Sequence, residues 1–200
     1  MLTFASLVAL AAAMQDRVPP PIRTRPAIPA PAPSASPISR QVSPYTQDTD
    51  ETWHISTEAN WAIRVDRTLG YGCFGLATYD DGTTLRVMVN PVDNRIILGL
   101  TNLRWRSLQL DQAYTLQIQF DQHAPWDGEA NVVALTPTMK MLHIGIDGEF
   151  LGELAESWVF TAKYEGQTLA RLDLADSEKM LTALGTCQEA VEEMVDDPFN

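Results

Sequence analysis

The chain has 200 residues, an apolar share of 45% and a formal net charge of −12 at pH 7. This length allows one ordinary domain with appendages, and the apolar share is sufficient for a hydrophobic core. The charge is uneven, because residues 1–44 sum to +3 and the remainder to −15. An acidic body repels phosphate groups, which disfavours nucleic acid and anionic membrane as partners.

An apolar run at residues 2–13 predicts an export signal. The run is shorter than the ~20 apolar residues that cross a bilayer, so no stable membrane span is predicted. Ala11 and Ala13 fit a cleavage pattern with Met14 as the first mature residue. No Lys or Arg precedes the run, which leaves a start upstream or at Met14 as alternatives. We expect a signal peptide over 1–13 and a periplasmic or secreted protein.

Residues 14–50 are predicted to be a Pro-rich disordered spacer. Nine prolines lie between Pro19 and Pro44, and large apolar residues are few. Such a segment buries too little surface to fold and favours an extended, polyproline-like conformation. The alternative is a Pro-rich ligand for an aromatic groove, since P-x-x-P spacings occur within it.

The segment 51–194 is predicted to be one β-rich globular domain. Apolar residues alternate with polar ones in short runs separated by turn residues, most clearly at Tyr114, Leu116, Ile118 and Phe120. Trp61 to Val65 shows the same alternation and predicts a half-buried strand. About eight such strands favour an antiparallel sandwich or a partly open barrel.

A C-terminal amphipathic helix completes the predicted domain. One helical face carries apolar residues at steps of four and three, namely Met180, Leu184, Cys187, Val191 and Met194. A short helix is also expected over Glu149 to Ser157, after the turn at 147–148, and residues 195–200 are predicted to form an acidic tail.

The two cysteines, Cys73 and Cys187, are predicted to form a disulfide between an early strand and the last helix. Such a bond would close a loop of about 114 residues and contribute on the order of 4–5 kcal/mol in the chain-entropy model. The alternative is a catalytic thiol, which would need one of His54, His123 or His143 as its base.

Gly70, Gly72 and Gly75 spell G-x-G-x-x-G, the dinucleotide-binding fingerprint. That motif requires a helix directly after the glycines, whereas a turn and another strand are predicted here. The glycines are therefore interpreted as serving a bend or bulge beside Cys73. The histidines and cysteines lack metal-ligand spacing, so neither a cofactor nor a metal is predicted.

The candidate binding loop contains His123, Trp126, Asp127 and Glu129. A base, an indole and two carboxylates gather there, and an exposed Trp on a loop held by Pro suits a binding edge. The alternative is an ordinary hairpin connection whose Trp folds back onto the sheet.

Near the C-terminal helix, Leu172 and Leu174 close a strand, and Asp176, Ser177, Met180, Leu181 and Leu184 follow. This stretch of about 20 residues resembles the ending of small bacterial periplasmic proteins of the invasion-associated locus B type. The N-terminal half has fewer cysteines than that family. The resemblance implies an exported β-rich domain without an established enzymatic site.

These observations predict an exported cell-envelope binding or interaction module without catalytic activity. Its partner would be an envelope protein or glycan, and the sequence does not indicate an oligomeric state. The alternative is a hydrolase that acts on an envelope glycan or peptide through the loop from His123 to Glu129. In that case His123, Asp127 and Glu129 should converge on one concave pocket.

Overall fold

The computed structural model describes residues 40–41, 52–58 and 60–196, with side chains described from 60 to 194. The predicted signal peptide lies outside these residues, as do most of the predicted spacer and the end of the acidic tail. Within the predicted spacer, Arg40–Gln41 forms a two-residue strand.

Eleven strands, two α-helices and a short 3-10 helix at Arg67–Leu69 make up the described fold. The strands are β1 (Arg40–Gln41), β2 (Thr52–Glu58), β3 (Trp61–Asp66), β4 (Gly72–Tyr79), β5 (Thr83–Asn90), β6 (Arg95–Asn102), β7 (Ala113–Phe120), β8 (Trp126–Thr136), β9 (Met139–Ile146), β10 (Val159–Tyr164) and β11 (Gln167–Asp173). The helices are α1 (Gly148–Glu156) and α2 (Ser177–Asp196). The predicted mainly β fold with a C-terminal helix is confirmed.

All strand pairs are antiparallel and belong to one sheet. The strand order is β11-β10-β7-β8-β9-β6-β5-β4-β3-β2, with β1 paired to the end of β4. The two outermost strands, β11 and β2, do not pair with each other, so the sheet is open. Of the two predicted architectures, one sheet that does not close agrees with the partly open barrel and not with a sandwich of two sheets.

The inner face of this sheet carries the main hydrophobic core, and both helices pack into it. Phe120 of β7 meets Phe150 of α1 and Phe160 of β10 at ring-centroid distances of 4.8 and 5.8 Å. Helix α1 begins at the predicted turn because the Asp147 carboxylate accepts a hydrogen bond from the Phe150 amide at 2.9 Å. Helix α2 packs against β3, β4 and α1.

The end of β11 is fastened to the first strands of the domain. The Trp61 indole donates a hydrogen bond to the Ala175 carbonyl at 3.3 Å, and the Tyr79 hydroxyl donates to the Asp173 carbonyl at 2.8 Å. These bonds hold the start of α2 beside β3 and β4, although none of the described strands closes the sheet.

The predicted disulfide between Cys73 and Cys187 is confirmed. Their Cα atoms lie 6.1 Å apart, within the range that a disulfide requires, and both residues are buried. The Gln188 side chain also accepts a hydrogen bond from the Cys73 amide at 2.9 Å. The alternative of a catalytic thiol is wrong, because a bonded sulfur is not a nucleophile.

The outer face of β3 to β6 is also buried, which differs from the half-buried strand predicted at Trp61 to Val65. A second hydrophobic cluster on this face contains Phe74, Met88, Ile97 and Met141. Asp66 and Arg86 are buried on this face as a pair. The alternation in β3 therefore reports residue type and not exposure, since all six residues are buried.

Arg86 and Asp66 form the buried ion pair of the outer face. Their atoms Nη2 and Oδ2 lie 2.7 Å apart, and the Arg86 guanidinium sits 3.7 Å from the centroid of the Phe74 ring. Burial raises the pKa of the Asp66 carboxyl, but hydrogen bonds from Thr68 and Arg86 outweigh it, so this pKa lies below its ordinary value. Asp66 is therefore a carboxylate at neutral pH.

Candidate functional site

The predicted binding loop is divided between a short turn and strand β8. Residues 121–125 connect β7 to β8, so His123 lies on the turn, whereas Trp126, Asp127 and Glu129 lie on β8. Side chains of a strand alternate between its two faces. Trp126 therefore packs against the inner core, while Asp127 and Glu129 stand on the outer face opposite Gln117 and Thr115.

His123 and Trp126 meet at Glu153 of α1, a residue that the sequence did not single out. The Trp126 indole donates a hydrogen bond to Glu153 Oε2 at 2.7 Å, and His123 Nδ1 lies 3.7 Å from the same oxygen. Trp126 is half-buried and packs edge-to-face on Phe150 with 5.6 Å between centroids. These contacts fasten the β7–β8 turn to α1, so Trp126 has a structural partner on each side.

Asp127 instead lines an open cleft of about 500 Å³ on the outer face. The cleft lies over β7, β8 and β10 and ends at the two-residue turn between β10 and β11. That turn contains Glu165 and Gly166, both with positive φ, as tight hairpins require. The lining residues are Ala113, Tyr114, Thr115, Gln117, Asp127, Lys163, Tyr164, Glu165 and Gly166.

A polar row crosses the floor of this cleft. Lys163 of β10 pairs in register with Gln117 of β7, which in turn pairs with Asp127 of β8. The Gln117 amide donates to Asp127 Oδ1 at 3.4 Å. Lys163 has no hydrogen bond or ion pair with any residue in the described part of the chain. The row therefore presents a cation and an anion, separated by an amide, to a molecule in the cleft.

Tyr114 and Tyr164 border the cleft, but strand alternation turns their side chains to the inner face, where they pack against the main core. The rings of Tyr114 and Tyr164 meet edge-to-face with 5.5 Å between centroids. A hydrogen bond with Glu165 raises the pKa of the Tyr164 phenol, so the phenol is neutral at pH 7. On the outer face the cleft provides the Thr115 hydroxyl, the Gln117 side-chain amide and the charges of Lys163 and Asp127. Its described lining residues include neither a cysteine nor a histidine.

Trp158, which the sequence did not single out, is the exposed tryptophan of the described residues at 70% exposure. It lies between α1 and β10, where the Asp121 carboxylate accepts hydrogen bonds from the amides of Trp158 and Val159 at 3.0 and 2.9 Å.

The glycine motif is explained by close packing. A Cβ on Gly72 would lie 2.1 Å from the Val89 carbonyl oxygen, and one on Gly75 would lie 2.4 Å from Met180 Sδ. Gly70 has a positive φ of 64° in the turn before β4. The motif thus admits a neighbouring strand and helix α2 beside β4.

His143 stands on the outer face of β9, opposite Gly99 and Asn131. Burial lowers the pKa of its imidazole, so His143 is neutral at pH 7.

Among residues with described side chains, no group of three His, Cys, Asp or Glu could hold a metal ion. In the same part of the chain, neither helix combines the length and apolar character needed to cross a membrane.

No protein-family model matches the sequence, and no curated protein matches it. Among solved structures, the fold is similar to the crystal structure of invasion associated protein B from Bartonella henselae. The TM-score is 0.50 at 15% sequence identity, and the match covers 67% of this chain and 97% of that chain. The two chains share a fold. The resemblance stated from the C-terminal residues is therefore confirmed for the architecture.

Proposed function

We propose that this protein is an exported cell-envelope module that binds a ligand and does not catalyse a reaction. The observation that carries the proposal is the outer-face cleft, where the Lys163 ammonium has no partner among the described residues and Asp127 stands two strands away. A charged group in a half-buried position gains most from a ligand that supplies its counter-charge. The cleft therefore suits recognition of a polar molecule.

The disulfide supports export. Cys73 and Cys187 are joined inside the core, and structural disulfides are typical of proteins that fold outside the reducing cytosol. The apolar run at residues 2–13 supplies a means of export. The protein that shares the fold is named for its association with invasion, a name compatible with a role at the cell envelope.

The alternative of a hydrolase depended on a shared pocket for three side chains. His123 instead lies beside Glu153, and of the three only Asp127 lines the cleft. A hydrolase also needs a paired nucleophile and base, or an activated water. Nothing in the described residues favours that alternative over binding.

Export is tested by expressing the chain from Met1 in a bacterial host and fractionating the cells. We expect recovery in the periplasm or medium, an intact mass that begins at Met14 and no free thiol. A protein found only in the cytosol, with the mass of the chain from Met1 and two free thiols, would contradict export.

Binding is tested by sedimenting the mature protein with washed envelope fragments, which contain membrane and peptidoglycan. We expect Lys163→Glu to reduce retention several-fold, because it reverses the one cation that lines the cleft. Lys179→Glu is the matched control, since Lys179 is exposed on α2 and pairs with Asp176. Equal retention of all three proteins, or no retention of the wild type, would overturn the role of the cleft.

A further inference from the structure

The charges around the cleft restrict the chemistry of its ligand. Lys163 calls for an anionic group, because it has no counter-charge among the described residues. Asp127 calls for a cation or a hydrogen-bond donor, and its one described bond, from Gln117, is long at 3.4 Å. A neutral glycan would leave Lys163 unmatched, and a purely cationic ligand would be repelled by it.

The charge of the whole chain argues against a purely anionic ligand. The net charge is −12, and Glu165 adds a further carboxylate at the rim of the cleft. The negative charge of the protein would repel a polyanion. A molecule with one positive and one negative group carries no net charge and is not repelled. The local arrangement and the overall field are both compatible with a zwitterion.

The spacing of the row sets the length of such a molecule. Neighbouring strands lie about 4.8 Å apart, so Lys163 and Asp127 are separated by roughly 10 Å across β7. An extended peptide spans at most about 3.5 Å per residue. Two or three residues therefore place a terminal amine and a terminal carboxylate over the two ends of the row.

Resting on the proposed binding function, we propose that the cleft binds a short zwitterionic peptide of two or three residues. Its carboxylate pairs with the Lys163 ammonium, and its amine pairs with the Asp127 carboxylate. The peptide lies across β10, β7 and β8, and its backbone passes over the Gln117 amide.

The test uses the tripeptide Ala-Ala-Ala in four forms, namely unblocked, N-acetylated, C-amidated and blocked at both ends. Titration calorimetry on the mature, oxidised protein should show binding of the unblocked form. Removal of either terminal charge should weaken that binding about tenfold, and removal of both should weaken it further.

Variants assign each terminus to its residue. Lys163→Gln should bind the unblocked and C-amidated forms equally, and Asp127→Asn should bind the unblocked and N-acetylated forms equally. The matched controls Lys179→Gln and Glu129→Gln should keep the wild-type preferences. Glu129 is a fair control, because it stands on the same face of β8 two residues from Asp127 but does not line the cleft.

Two outcomes would overturn the peptide assignment. One is no binding of the unblocked tripeptide by the wild type at millimolar concentration, and the other is equal binding of all four forms. If Lys163→Glu still lost retention on envelope fragments in either case, the binding function would stand and only the ligand class would be wrong. If Lys163→Glu also left retention on envelope fragments unchanged, both proposals would be wrong.

Discussion

The two halves of the sheet bury their surfaces in different ways. In β3 to β6 both faces are largely buried, with the main core inside and the second cluster outside. In β7, β8, β10 and β11 the inner face is buried, while the outer face is exposed or half-buried. The cleft lies on this second half, where polar side chains are accessible.

The difference indicates that the first half contributes most to the stability of the fold, whereas the second half offers accessible polar side chains for binding. A strand buried on both faces has no position at which a ligand can approach, so its polar residues must pair with one another, as Arg86 does with Asp66. In a strand buried on one face, every second side chain is accessible and can contact a ligand. We call β3 to β6 the doubly buried half, and β7, β8, β10 and β11 the solvated half.

Loss of the disulfide should have the largest effect, because it releases α2 from β4 in the doubly buried half. The free energy of unfolding should fall by up to about 4–5 kcal/mol, and by less if the reduced chain keeps residual structure. Cys73→Ser and Cys187→Ser should cause equal losses in urea denaturation. Reductant should have no further effect on the double variant, and an unchanged midpoint after complete reduction of the wild type would contradict the prediction.

Asp66→Asn should have the next largest effect, because it leaves the Arg86 guanidinium buried without its counter-charge. Breaking one side of a buried ion pair typically costs about 3–5 kcal/mol, and we expect a loss near the lower end, about 3 kcal/mol. Glu129→Gln on the solvated half removes the same charge from an exposed carboxylate and should change stability by less than about 0.5 kcal/mol. Similar losses in the two variants would remove the distinction between the halves.

A pair of conservative changes compares the outer face of each half directly. Ile97→Val removes one methyl group from the second cluster and should lower the free energy of unfolding by about 1 kcal/mol. Thr115→Ser removes a methyl group from an exposed position on β7 and should have almost no effect. Chemical denaturation of both variants measures the difference, and a larger loss in Thr115→Ser would reverse the assignment of the halves.

The smallest expected effect is the pH dependence due to His143, on the outer face of β9 where the halves meet. Its folded pKa is lowered by burial, so protonation disfavours the folded state. Its contribution to stability should be fully present above about pH 6.5 and decline as pH falls through the window below that value. His143→Gln should flatten the stability profile in this window, and an unchanged slope would contradict the prediction.

The sequence predicted the solvated half better than the doubly buried half. The alternation at Tyr114, Leu116, Ile118 and Phe120 matches β7, because one face of that strand meets water. The same pattern misled at β3, since Arg64 and Asp66 are charged and yet buried. The burial of Asp66 depends on its ion pair with Arg86 of β5, which residue type alone does not reveal.

The site was only partly predictable for the same reason. Asp127 was singled out with its neighbours in sequence, but Lys163 was not. The two residues share one cleft only because β10 and β8 both pair with β7. Glu153 likewise reaches His123 and Trp126 from α1, across about 30 residues of sequence. Disulfide pairing was easier, because two cysteines allow a single intramolecular pair.

That single pair has a consequence for how the protein matures. Oxidation within one molecule cannot produce a scrambled isomer, so no disulfide isomerase is needed to correct it. An incorrect bond can form only between two chains, through collision of partly folded molecules. Because the partners lie 114 residues apart, a monomer can form this bond only after the segment up to Cys187 has emerged. Errors of maturation should therefore be covalent dimers whose yield rises with protein concentration.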